Sequence, residues 1–413
     1  MTARHRDDEP QAAEPAYRFG LSPPVWRLGW VSFFTDTASE MIYPLLPLFL
    51  TQTLRAGAMS IGVIEGVAEA ANSLLKIISG WLTDRWGAPK RLVLFGYTLS
   101  STARPLIAMA TGWVQVLLIR FSDRLGKGIR TSPRDAMLAH YAPAGMRGRV
   151  FGFHRAMDHA GAVVGPLVAA VFLYFRPGDY RALFAWTIVP GVIVVLLILG
   201  LPDDRRETAP RAVASTPSVS AAPLGRGFHV AIAIIFVFSL GNASDAFLLL
   251  RLSNEGIASA WIPLLWALLH VVKMTSSVAG GVLSDTLGRR TMIALGYLWY
   301  AGIYGAFAYA SSAPVTIAVF LAYGLYFGLT EGVETAWGTD LGPTERRGMA
   351  FGIYNSAIGF GSLAASLLFG LLWTRISPHA AFLTGAALAL AASALLGLGF
   401  PAERKRRSMK GRS

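Results

Sequence analysis

"RGRVFGFHRAMDHAG", residues 147–161, returns 200 residues later as "RGMAFGIYNSAIGFG", residues 347–361. Arg147 falls over Arg347, Gly148 over Gly348, Phe151 over Phe351, Gly152 over Gly352 and Gly161 over Gly361. Two further blocks keep the same order. "GWLTDRWG" (80–87) lies over "GVLSDTLG" (281–288), and "FFTDTASE" (33–40) lies over "FSLGNASD" (238–245), which pairs Glu40 with Asp245. Ordered repeats at a near-constant offset mean that one structural unit has been duplicated, and that fact constrains the fold before any element is assigned.

Hydropathy identifies the unit. Of 413 residues, 54% are hydrophobic and 15% charged; soluble proteins carry about 25% charged residues, so this chain lacks the polar surface water demands. A bilayer-spanning helix needs about 20 apolar residues. Such spans read at 28–52, 59–83, 92–111, 113–139, 150–175 and 182–201, then at 228–250, 258–284, 291–311, 314–337, 349–374 and 379–400. Between the sets, "PDDRRETAPRAVASTPSVSAAPLGRG" (202–227) is rich in Pro, Ala and Ser and reads as a linker. The expected organisation is a tail (1–27), a six-helix bundle (28–201), a cytoplasmic linker (202–227), a second bundle (228–400) and a basic tail (401–413). The fold class is all-α integral membrane, with twelve transmembrane helices in two pseudo-symmetric six-helix bundles.

The net charge of +13 would suit a nucleic-acid partner, but its distribution speaks against one. The basic residues stand between apolar runs, in "DRWGAPKR", "MRGR", "PDDRRE", "SDTLGRR", "TERR" and the tail. The positive-inside rule then places all of these clusters, and both termini, in the cytoplasm. The expected location is the cell inner membrane, without a cleaved signal peptide, since residues 1–20 are polar. Expected partners are a small-molecule substrate and the lipid bilayer, with the chain working as a monomer. The lack of cysteine removes disulfides, thiolate metal sites and Cys nucleophiles. With no HExxH and no Ser–His constellation, neither a metal nor an enzymatic activity is expected.

Two six-span halves, a central linker and the turn GxLxDxxG after spans 2 and 8 resemble the major facilitator superfamily of secondary transporters, over residues 25–400. In that family the turn reads G-x-x-x-D-R-x-G-R-R. Gly281, Asp285, Gly288, Arg289 and Arg290 follow it; Gly80, Asp84, Arg85 and Gly87 follow it until the basic pair, displaced to Lys90 and Arg91. The resemblance implies a conformational lock at both copies, with Asp84 near the start of span 11; a plain tight turn is the alternative. "GAVVGPLVAA" (161–170) keeps Gly161, Gly165 and Pro166 of a span-5 motif associated with antiporters, but has Ala169 and Ala170 for its last glycines. Antiport and simple small-residue packing both fit it.

"RFSDRLGKGIRTSPRD" (120–135) puts a charged string where span 4 must cross. A charge at the bilayer centre costs about 2.5–3.5 kcal/mol on insertion scales, so such charges face a cavity or a partner. Arg120, Arg124 and Lys127 share a helical face, Asp123 is spaced to pair with Lys127, and Arg130 extends the stripe. A phosphate loop is excluded, because Phe121 stands where its first glycine belongs and no strand precedes it. Snorkelling to headgroups suits Arg130 and Arg134. The family commonly places an Arg in span 4, and Arg120 matches it by position; "DRxGKGxRxxPRDA" resembles a bacterial branch of that family.

At about 1.5 Å per residue the midplane lies about 10–12 residues into a span. Glu40, Glu69, Arg124, Asp158 and His270 reach that depth, with Asp245, Lys273 and Glu331 somewhat past it. A polar midplane layer between two repeats is where alternating-access carriers hold substrate and coupling ion. Arg120, Arg124, Lys127, Arg155, His270 and Lys273 are therefore the expected substrate-binding residues, with the arginines permanently charged. A proton carrier must titrate, which leaves Glu40, Asp245, Glu69, Asp158, Glu331 and Asp36 as candidates, along with Glu334 and His270. Glu40 and Asp245 come first, as duplicated carboxylates that would face each other. The expected function is proton-coupled export, by antiport, of a small polar, anionic or amphiphilic solute, with the proton gradient as energy source and no cofactor. The alternatives are a proton-coupled importer of an organic anion and a non-transporting membrane sensor on the same fold.

Overall fold

Ser22 is extended and Pro23 follows it, so the first helix starts where a missing N–H costs nothing. That start falls inside the stretch read from sequence as a tail. The computed structural model describes residues 21–86, 89–142, 147–202, 224–340 and 347–399. Among the described residues there are twelve helical spans and no strand. The first half comprises α1 (Pro23–Ile42), α2 (Ala58–Trp86), α3 (Pro89–Leu106), α4 (Trp113–Tyr141), α5 (Arg147–Phe175) and α6 (Tyr180–Trp186 with Ile188–Leu199). The second comprises α7 (Arg226–Gly241 with Ala246–Asn254), α8 (Trp261–Leu287), α9 (Arg289–Tyr309), α10 (Ala313–Asp340), α11 (Arg347–Arg375) and α12 (Pro378–Gly399). Apart from the end of α1, which breaks ten residues early, the bounds fall within about five residues of the hydropathy reading.

Seven helices, α5 to α7 and α9 to α12, are long and apolar enough to cross a membrane by length and composition alone. The other five carry ionisable residues on inward faces, among them Asp36, Glu65, Arg104, Arg120 and Lys273. Several charges are buried while large apolar side chains face outward: Arg104, Arg120, Asp123 and Arg130 are buried, whereas Phe95, Leu118, Val171, Trp186 and Leu298 are exposed. That outer belt suits hydrocarbon, and helices suit it because each satisfies its own backbone.

Two spans are interrupted at matching places. Pro44 and Pro47 turn the end of α1 into a 3₁₀ turn (Tyr43–Leu45) and a wide turn (Phe49–Thr53). Helix α7 breaks between Gly241 and Ala246. The freed groups of α7 find side chains: the Tyr300 hydroxyl lies 3.1 Å from the Gly241 carbonyl, and the Ser244 N–H donates to Ser366 Oγ at 3.3 Å.

The halves meet along α2 with α11 and α5 with α8. Gly62 makes the first seam possible, since any Cβ there would strike the Ser366 carbonyl of α11. Away from the 202–227 linker, Gln52 Nε2 donates to Ser253 Oγ at 3.1 Å and the Tyr43 hydroxyl lies 3.3 Å from Ser244 Oγ. These contacts join the two halves there. Gly161 and Gly165 let α5 approach α1 at Phe33 and Thr37, which is the small-residue packing that their spacing allows. Of the linker, residues 203–223 lie outside the described residues.

Candidate functional site

The breaks in α1 and α7 open onto a cavity of about 410 Å³ between the halves. Interrupted helices border such spaces because unpaired backbone is tolerated in a membrane only against protein or a wet cavity. From the first half, Asp36, Glu40, Glu65 and Glu69 bring carboxylates and Arg124 and Lys127 bring cations. From the second, the α7 break contributes Asn242 to Asp245, and α11 contributes Ser362 and Ser366. Trp266 of α8 and Tyr323 and Phe327 of α10 form an aromatic wall.

Glu40 and Asp245, the duplicated pair, both line the space. Glu40 Oε2 accepts a hydrogen bond from Trp266 Nε1 at 2.7 Å, across the two halves. Asp245 accepts from the Tyr323 hydroxyl at 2.6 Å and pairs with Lys273 Nζ at 3.2 Å. Lys273 lies behind the lining, its ammonium 3.7 Å from the Phe327 ring centroid. Glu69 Oε1 accepts from Asn72 Nδ2 at 3.3 Å.

Arg120 is a correction to the sequence reading. It is 3% exposed and stands outside the lining, because Glu65 Oε1 takes its guanidinium at 2.8 Å. Asp123 does not pair with Lys127; it accepts from Arg104 Nε at 3.0 Å and lies 3.7 Å from Arg120 Nη1. Arg104 also donates to the Thr35 carbonyl of α1 at 3.0 Å. Four helices are thus tied by one buried network, whose cations need such partners to tolerate burial. Arg130 joins it, donating to Ser100 Oγ at 2.6 Å and lying 4.3 Å from the Tyr97 ring centroid.

Three further candidates fall outside the cavity. Arg155 has a side chain 73% exposed, 3.9 Å from Asp158. Asp158 is held by the Ser32 hydroxyl and lies 3.5 Å from His154 Nδ1. His270 spends Nδ1 on the Trp266 carbonyl at 3.0 Å and packs edge-on to the Trp266 ring. It therefore packs against the tryptophan that holds Glu40. The side chains of Glu331, Asp84, Arg85 and Asp285 are not among those described, and Gly87 lies outside the described residues, whereas Gly80 and Gly281 fall within α2 and α8. Gly288 sits at φ +83°, where glycine is favoured, and Arg289 and Arg290 open α9 immediately after it.

The sequence reading missed the aromatic wall, because Trp266, Tyr323 and Phe327 look like core residues in apolar helices. The i, i+4 spacing of Tyr323 and Phe327 is the signal it offered.

The profile of the Major Facilitator Superfamily matches residues 28–332 and 259–412. An uncharacterized MFS-type transporter of Methanocaldococcus jannaschii is 32% identical over 382 residues, covering 91% of this chain and 94% of the relative. A cis,cis-muconate transport protein of Acinetobacter baylyi is 24% identical over 335 residues, covering 77% of this chain and 78% of the relative. Among solved structures, a POT family transporter in complex with 5-aminolevulinic acid superimposes with a TM-score of 0.77 at 11% identity, over 93% of this chain and 97% of that one.

Proposed function

The chain belongs to the major facilitator superfamily, a family of multi-pass membrane transporters, and from that premise we propose that it is a proton-coupled carrier exporting a small polar or amphiphilic solute by alternating access through the cavity. The observation that carries this reading is the cross-half hydrogen bond from Trp266 to Glu40, inside a space lined by both halves. A carboxylate there senses both events that coupling must link. Ionised, it accepts a charge-assisted bond from the other half; protonated, it accepts only a weaker neutral one. Proton loading thus loosens the contact between the bundles, and a proton released on reorientation restores it. Asp245, held by Lys273 and Tyr323, supplies a second titratable group at the duplicated position. No bound cofactor is required, since the proton gradient supplies the energy. The basic loops favour the inner membrane with both termini cytoplasmic, and a cavity lined by residues of one chain favours a monomer.

A second reading has its own support. Arg124 and Lys127 face the cavity, and one relative is named for muconate transport, which favours proton-coupled import of an organic anion. Purified protein in liposomes with an imposed pH gradient tests coupling: solute-dependent proton flux is expected, lost in Glu40→Gln. Uptake into inside-out rather than right-side-out vesicles separates export from import.

A further inference from the structure

We propose that the solute bears a protonated amine, and that its ammonium takes the place which Lys273 Nζ now occupies beside Asp245. This rests on the reading that the cavity is the transport site. Five carboxylates line it, Asp36, Glu40, Glu65, Glu69 and Asp245, against two cations, Arg124 and Lys127. Glu65 and Asp245 are matched from behind by Arg120 and Lys273. With Arg104, Arg130 and Asp123 also behind that wall the formal charges around the cavity balance, so a cation or zwitterion is drawn to a local carboxylate rather than to a net negative field.

The second half shows where such a cation sits. Lys273 Nζ is 3.2 Å from Asp245 Oδ2 and 3.7, 5.1 and 5.8 Å from the ring centroids of Phe327, Trp266 and Tyr323. A carboxylate beside several aromatic faces is the chemistry that holds an alkylammonium. Asp245 and all three rings also line the cavity. The lysine is thus a tethered occupant of a box open to solute, and its four-carbon stem is flexible enough to withdraw. An amine with an apolar or aromatic body satisfies Asp245 with its head and the aromatic wall with its body. Arg124 and Lys127 lie opposite, ready for a carboxylate when the solute is a zwitterion.

Calorimetric titration of the purified full-length protein with 2-phenylethylamine, 3-phenylpropionate and 2-phenylethanol tests this. The amine is expected to bind, and the carboxylate and alcohol more weakly or not at all. Lys273→Met removes the competitor and should tighten amine binding about tenfold; Asp245→Asn should abolish it. Phe327→Leu keeps the Asp245–Lys273 pair, guarding against a misfolded lysine variant, and should weaken amine binding about tenfold. No amine binding, preference for the carboxylate, or amine affinity unchanged in folded Phe327→Leu overturns the proposal. Amine binding without pH-driven flux defeats proton coupling alone; pH-driven flux with a carboxylate preference defeats the amine assignment alone.

Discussion

Trp266 Nε1 of α8 donates to Glu40 Oε2 of α1 at 2.7 Å, and the two residues belong to different bundles. Whatever changes the charge of Glu40 changes a contact that holds the bundles together. Glu40→Gln keeps an oxygen able to accept from the indole but removes the titration. Flux driven by a pH gradient should fall to background, while solute exchange at equal pH persists. The weaker neutral bond should cost only about 1 kcal/mol, seen as a small drop in thermal stability. Gradient-driven flux at the native rate would exclude Glu40 as the coupling group.

The charged string of α4 divides into a structural part and a facing part. Asp123→Ala leaves Arg104 and Arg120 buried without their shared carboxylate, a loss of about 3–5 kcal/mol. Arg124→Ala removes a cation from the cavity wall and should barely change stability, while weakening the binding only of solutes that carry a carboxylate. Thermal unfolding of both variants in detergent checks the ordering. A stability loss from Arg124→Ala equal to that from Asp123→Ala would contradict it.

The contact between the halves at Gln52 is open to direct test because the chain contains no cysteine. Gln52 and Ser253 touch across the halves. In a Gln52→Cys, Ser253→Cys protein, bridging the thiols with a short cleavable cross-linker should stop transport, and cleaving it should restore transport. Full transport by the bridged protein would mean that this end never opens.

Gly62→Val forces the same seam apart, since its side chain meets the backbone of Ser366. The variant should cross-link the 52–253 pair several-fold more slowly than its parent. An unchanged rate would show that α2 and α11 do not govern closure.

Much of this was legible in the sequence, for identifiable reasons. Hydropathy reports spans directly, and the duplicated blocks tie Glu40 to Asp245 without any structure. Depth counting along each span also brings Glu69 and Arg124 to the cavity. It fails where side chains find lateral partners. Arg120 shares a face with Arg124, yet Glu65 on α2 and Asp123 on its own helix draw it into the bundle. Asp158 is captured by Ser32 of α1, and His270 by the carbonyl one turn back. Partners on neighbouring helices are set by tertiary packing, which spacing along one helix does not encode. The aromatic wall was hidden for the same reason: an apolar ring reads alike whether it faces core, lipid or solute.

Placing one reporter thiol on the cavity wall tests the account most directly. Ser362 lines the cavity from α11, and Ser362→Cys would be the sole cysteine in the chain. In sealed proteoliposomes of known orientation, a membrane-impermeant charged maleimide should label it when applied from either side, with a protonation-dependent shift in which side reacts faster. Labelling confined to one side under all pH conditions would contradict alternating access through this cavity.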